Sequence, residues 1–108
     1  MLSRTTIVAI IFVFALLAGS AYAGGDPERG KALGDWCSDC HGSDALGDDE
    51  IPAIGGMDEA LMFKQLMAFK TGERVDEFED MVETVEEFEE QELADLAAYF
   101  STLPRPKN

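Results

Sequence analysis

Both cysteines and the single histidine of this chain fall within five consecutive residues, Cys37-Ser38-Asp39-Cys40-His41. The pattern C-x-x-C-H is an attachment sequence for a c-type haem, and its spacing has a chemical reason. Two thiols three positions apart can reach the two vinyl groups of one porphyrin as thioethers, while the adjacent imidazole falls beneath the iron as its proximal ligand. A thioredoxin-like dithiol is a rival, but that motif is expected beside a βαβ pattern, and no strand-rich alternating segment is visible. Structural zinc usually takes four Cys or His ligands, whereas this chain has two Cys and one His. A Cys37–Cys40 disulfide would leave His41 unexplained. The expected cofactor is one covalent haem c, held by Cys37 and Cys40 with His41 on the metal.

The first residues read as an export signal. Arg4 supplies the positive n-region, Ile7 to Ala18 is an apolar run, and Ala21-Tyr22-Ala23 is a small-x-small cleavage site. Cleavage after Ala23 divides the 108 residues into a signal peptide, 1–23, and one domain, 24–108. A bilayer span wants about twenty apolar residues, and Gly19, Ser20 and Gly24-Gly25 interrupt this run, so no stable membrane insertion is expected after cleavage. The expected location is the periplasm. Of 8 basic and 22 acidic residues only Arg4 is lost with the signal, so 7 remain against 22, a net of −15. Such a charge disfavours nucleic acid and anionic lipid, and it steers the protein toward a positively charged partner surface. An acidic surface suited to a salty medium is the other reading, and composition alone does not separate the two.

The fold class expected is all-α, in one small domain. Pro27 is well placed in the first turn of a helix capped by Asp26 and running to about Trp36. Apolar positions recur at helical spacing over 58–70 until Thr71-Gly72 stops them. Thr84-Val85-Glu86-Glu87 matches a capping box, but acids follow without a basic partner four residues on, which predicts fraying at low salt. Leu93, Leu96, Ala97, Phe100 and Leu103 form an apolar stripe with acids opposite, ended by Pro104. With so small a core, the haem should form its centre and the apoprotein should fold poorly.

Electron-carrying cytochromes c typically pair His with Met on the iron. After cleavage the chain offers Met57, Met62, Met67 and Met81. Met62 and Met67 lie in the 58–70 helix, where methionine more often packs than ligates. Met57 follows Gly55-Gly56 in a loop close in sequence to the attachment site. Met81 lies beyond that helix, after the polar stretch 72–80, where the chain can loop back over the far haem face. Met81 is the first choice and Met57 the second.

The order of features resembles the class I cytochromes c, particularly the small bacterial group that includes cytochromes c4, c5 and c553 and the haem subunit of flavocytochrome c sulfide dehydrogenase. The resemblance rests on Gly30 to Trp36 leading into Cys37-Ser38-Asp39-Cys40-His41-Gly42, then Ile51-Pro52-Ala53-Ile54-Gly55-Gly56. Gln65-Leu66 with Phe69-Lys70-Thr71-Gly72-Glu73-Arg74, Met81, and Leu93 to Phe100 follow in the family's order. It implies three to five helices wrapped around one haem. It also implies that Pro52 offers its carbonyl to the His41 imidazole, that Met81 is the family methionine, and that Gly30 meets Tyr99 where the first and last helices cross. The implied function is a non-enzymatic, periplasmic one-electron carrier with His/Met ligation, serving redox proteins with basic docking surfaces. Two alternatives stand beside it: a haem c subunit of a periplasmic oxidoreductase, with a flavoprotein as partner, and a gas-binding or peroxidase-type protein with an open sixth site.

Overall fold

Helix signals in this chain are local and short, and the structure, a computed structural model, uses most of them where the sequence puts them. It describes residues 24–106, so the export signal and its cleavage site lie outside the described residues. Those residues form five α-helices and no strand: α1 (Pro27–Leu33), α2 (Asp35–His41), α3 (Glu59–Thr71), α4 (Asp80–Glu86) and α5 (Glu90–Ser101). Asp26 caps α1 by accepting the Glu28 N–H at 3.0 Å, and Pro27 takes the opening position, where its missing donor costs nothing. Asp58 caps α3 through the Leu61 N–H at 3.0 Å, and Gly72, at φ 82°, ends it.

Two boundaries differ from the sequence reading. The first helix does not run to Trp36 but breaks at Gly34, after which α2 starts afresh. Gly34 is buried, and a Cβ there would stand 3.4 Å from the rings of both Tyr99 and Phe100. Close packing on α5 therefore sits at the break, a tertiary effect that local periodicity does not carry. Nor does Thr84 start a helix: it lies within α4, with its hydroxyl donating to the Asp80 carbonyl at 2.7 Å. The reciprocal cap forms instead between Glu89 and Glu92 at the head of α5, where the Glu89 N–H donates to Glu92 Oε1 at 3.0 Å. A carboxylate at the cap accepts as a hydroxyl does, outside the Ser/Thr pattern.

The core is built around α5. Leu93, Leu96, Ala97 and Phe100 are buried together with Met62, Leu66 and Phe69 of α3, Val85 of α4, and Phe88. On the other side α5 meets α1 so closely that a Cβ on Gly30 would lie 1.9 Å from the Asp95 carbonyl oxygen and 2.8 Å from Tyr99 Cβ. Glycine is required there because backbone meets backbone. The acids of α5 do not all face water. Asp95 is 1 % exposed, its Oδ1 accepting from the Asp26 N–H at 2.8 Å and from Gln91 Nε2 at 3.0 Å, with Arg29 Nε 3.4 Å from Oδ2. A buried carboxylate persists when it is paired and hydrogen-bonded, and here it fastens the start of α1 to α5.

Candidate functional site

The short helix α2 carries Cys37, Cys40 and His41, and spacings of three and four place all three on one side of it. Both thiols are free. Cys37 is half-buried against the core and Cys40 is exposed. Burial, aided by the neighbouring Cys40, pushes the Cys37 thiol up to about 11, so it is protonated at neutral pH. His41 closes the helix and is 6 % exposed. Its Nδ1 lies 2.8 Å from the carbonyl oxygen of Pro52. A carbonyl can only accept, so Nδ1 carries the proton and Nε2 keeps its lone pair for a metal.

The loop after α2 exists to hold that carbonyl in place. Gly42, at φ 88°, turns the chain out of the helix. The Gly47 N–H returns to the His41 carbonyl at 2.8 Å, and the N–H groups of Ile54 and Gly55 converge on the Ala45 carbonyl at 2.8 and 2.9 Å. Asp48 Oδ1 accepts from the N–H groups of Glu50 and Ile51, both at 2.8 Å, and those bonds hold its carboxyl below the usual value. Gly47, at φ 65°, is the tightest point: a Cβ on it would sit 2.1 Å from the Ile51 carbonyl oxygen and 2.8 Å from that of Pro52. The far end is tied to α5, with the Gly56 N–H on the Phe100 carbonyl at 2.9 Å and Arg105 Nε on the Gly56 carbonyl at 2.8 Å.

The methionines separate by burial. Met62 is buried in α3, whereas Met57, Met67 and Met81 are half-buried against the same core. Met81 stands in the first turn of α4, rather than in an open loop, and lies near His41. Its N–H donates to Asp76 Oδ1 at 3.1 Å, and a turn closed by the Glu79 N–H on the Asp76 carbonyl, also 3.1 Å, leads into it. Upstream, Arg74 lies 4.7 Å over the Phe69 ring, and the Lys70 ammonium donates to the Phe88 carbonyl.

Sequence reasoning missed three positioning residues, Gly47, Asp76 and Asp95. Gly47-Asp48 is a turn signal that could have been read, whereas Asp95 lies opposite the apolar stripe among the other acids of the last helix and carries no signal of its own. Among the described residues no three His, Cys, Asp or Glu side chains gather into a group able to hold a metal ion by themselves. An iron already held by a porphyrin asks the protein for axial donors alone. Two free thiols, an imidazole with Nε2 free, and a half-buried thioether nearby are the donor chemistry that haem c requires, and the residues present fit it.

The cytochrome c family model matches residues 27–104. The chain belongs to the cytochrome c family. It is 34% identical over 87 residues to cytochrome c4 of Pseudomonas aeruginosa, covering 80% of this chain and 42% of that one. It is 30% identical over 89 residues to cytochrome c-554(547) of Halothiobacillus neapolitanus, covering 73% of this chain and 98% of that protein. It thus spans less than half of the c4 relative but nearly all of the smaller cytochrome. The fold matches reduced cytochrome c4 from Pseudomonas stutzeri with a TM-score of 0.66 at 22% identity, over 79% of this chain and 54% of that one. A thiosulfate dehydrogenase from Marichromatium purpuratum matches with a TM-score of 0.69 at 32% identity, over 79% of this chain and 21% of that one. The helices therefore form a class I cytochrome c fold.

Proposed function

We propose that this cytochrome is a periplasmic one-electron carrier with a single haem c. In this reading Cys37 and Cys40 hold the haem covalently, His41 and Met81 are its axial ligands, and the export peptide is removed after Ala23. The observation that carries it is the His41 Nδ1–Pro52 carbonyl bond of 2.8 Å, which leaves Nε2 as the donor on the helix that presents both thiols. When bound, the haem supplies a ferric/ferrous couple that takes up and releases one electron. The protein's own residues supply the rest. Pro52 fixes the imidazole ring and raises its basicity as a ligand. Asp76 and the turn it closes set where α4, and with it Met81, begins. The buried apolar side chains of α3 and α5 would give the group a water-poor surrounding. With His41 and Met81 both holding the iron, no position would be left for substrate, which suits transfer of electrons rather than catalysis on the metal.

Optical spectra of the holoprotein test this reading. The oxidised form should be low-spin with the weak red methionine-to-iron charge-transfer band, and Met81→Ala should abolish that band. A spectrum unmoved by Met81→Ala would mark Met57 or an open site, and a high-spin wild type would turn the reading toward gas binding or peroxidase chemistry.

A second reading, a haem subunit held in an oxidoreductase, is favoured by the thiosulfate dehydrogenase, of which the matched region is 21%. A permanent subunit elutes with its partner from gel filtration at high salt, whereas a carrier elutes alone. The near-complete match to cytochrome c-554(547) supports the carrier.

A further inference from the structure

Two aromatic side chains of the described residues stand in water, Trp36, 70% exposed, in the first turn of α2, and Phe78 in the turn before Met81. Phe78 is 75% exposed, whereas Phe69, Phe88 and Phe100 are buried. It occupies the third position of the Asp76–Glu79 turn, between a closing hydrogen bond of 3.1 Å and a glutamate held at φ 58°. A non-glycine residue in that conformation is strained, and such strain gathers where function requires a particular shape. Here it stands at the end of the turn in which Phe78 is exposed, three residues before Met81. Val75, 58% exposed, adds a second apolar side chain. Exposed Glu77, Glu79 and Asp80 are their neighbours along the turn, and from Val75 to Pro104 the chain holds 11 acidic residues and no Lys or Arg.

An apolar centre with a charged rim is how protein interfaces are built, and the rim's sign selects the partner. A second copy of this chain, equally acidic, is repelled. A protein with Lys and Arg around an apolar depression is attracted from a distance and then seated. We propose that the turn from Val75 to Asp80 is the docking surface for a basic redox protein, with Phe78 as anchor and the surrounding carboxylates as the steering rim. This rests on the carrier reading above and names the surface through which the carrier works.

The test compares two electron acceptors for the reduced holoprotein by stopped flow: a lysine-rich cytochrome c, which has a protein surface, and tris(1,10-phenanthroline)cobalt(III), a small cation without one. One electron leaves the reduced protein and reduces the acceptor's metal by one unit, with no bond made or broken. Phe78→Ser should lower the second-order rate with the cytochrome by about five- to tenfold at low ionic strength, the loss of one interface anchor. Its rate with tris(1,10-phenanthroline)cobalt(III), its absorption spectrum and its Tm should stay those of the wild type. Replacing Glu77 and Glu79 together by Lys should slow the cytochrome reaction and flatten its dependence on salt. An unchanged rate of Phe78→Ser with the cytochrome overturns the proposal, as does a shifted haem spectrum, which would place Phe78 against the haem. A wild type unable to reduce either acceptor overturns the carrier reading itself.

Discussion

Among the described residues two that are not glycine are held at positive φ, Ala45 at 62° and Glu79 at 58°, and their surroundings differ sharply. Ala45 is 1 % exposed, donates its N–H to Gly42, and receives two N–H groups on its carbonyl. It belongs to the loop that presents Pro52 to His41. Glu79 is exposed, and its turn is closed by one backbone bond and by the Asp76 carboxylate on Met81. The same strain is thus fixed from several directions on the histidine side and from few on the methionine side. Strained backbone persists where the surroundings over-determine it. The loop beside His41, the histidine side, is therefore the more rigid of the two regions, and the turn before Met81, the methionine side, is the one whose geometry small changes can adjust.

The largest expected effect lies on the rigid side. Gly47→Ala forces a methyl group to within 2.1 Å of the Ile51 carbonyl oxygen at φ 65°. The left-handed backbone alone costs about 1–2 kcal/mol for alanine, and the overlap raises the total to about 3 kcal/mol or more. Guanidinium unfolding of the holoprotein measures it, and a loss below about 1 kcal/mol would show that the loop gives way after all. On the adjustable side the sign reverses. Glu79→Gly removes strain of about 1–2 kcal/mol against an entropy cost of about 0.5–1 kcal/mol, for a net gain of a few tenths to about 1 kcal/mol. Ala45→Gly should bring no such gain, because it also uncovers a buried methyl's space. Equal stabilisation by both glycines would erase the distinction between the two regions.

What the sequence disclosed follows the range over which each feature is determined. Cys37, Cys40 and His41 are set by one helical turn, so their spacing could be read directly, as could the cap at Asp26. Pro52 lies 11 residues from His41, beyond helical periodicity, and came into view through a resemblance in the order of motifs. The break at Gly34 and the burial of Asp95 were not legible. Both depend on α5 arriving from some sixty residues away, in close contact with Gly34 and Gly30 and with the Asp26 N–H donating to Asp95. Met81 could be singled out as the methionine after the polar stretch. Its place in the first turn of α4 could not, because Asp76 and the left-handed Glu79 set that start and neither is a standard helix signal.

The smallest predicted effect concerns acid and probes the rigid side again. The N–H groups of Ile51 and Glu50 hold the Asp48 carboxyl below its ordinary value of 3.8. A group whose folded value is depressed contributes its stability above the unfolded value and loses it as pH falls through the folded one. The turn over 48–51 should therefore be unchanged from neutral pH down to about 4 and loosen only below it, while Asp48 is fully exposed and so contributes little to global stability. Amide exchange at Glu50 and Ile51 reports the turn directly, and Asp48→Asn, which keeps an acceptor oxygen without a titrating proton, should remove the acid dependence while preserving much of the protection. If the two amides lose protection well above pH 4 in the wild type, Asp48 is not what holds the turn. Gly47 and Ala45 would then carry the Pro52 carbonyl without it, and the rigidity of the histidine side would rest on backbone contacts alone.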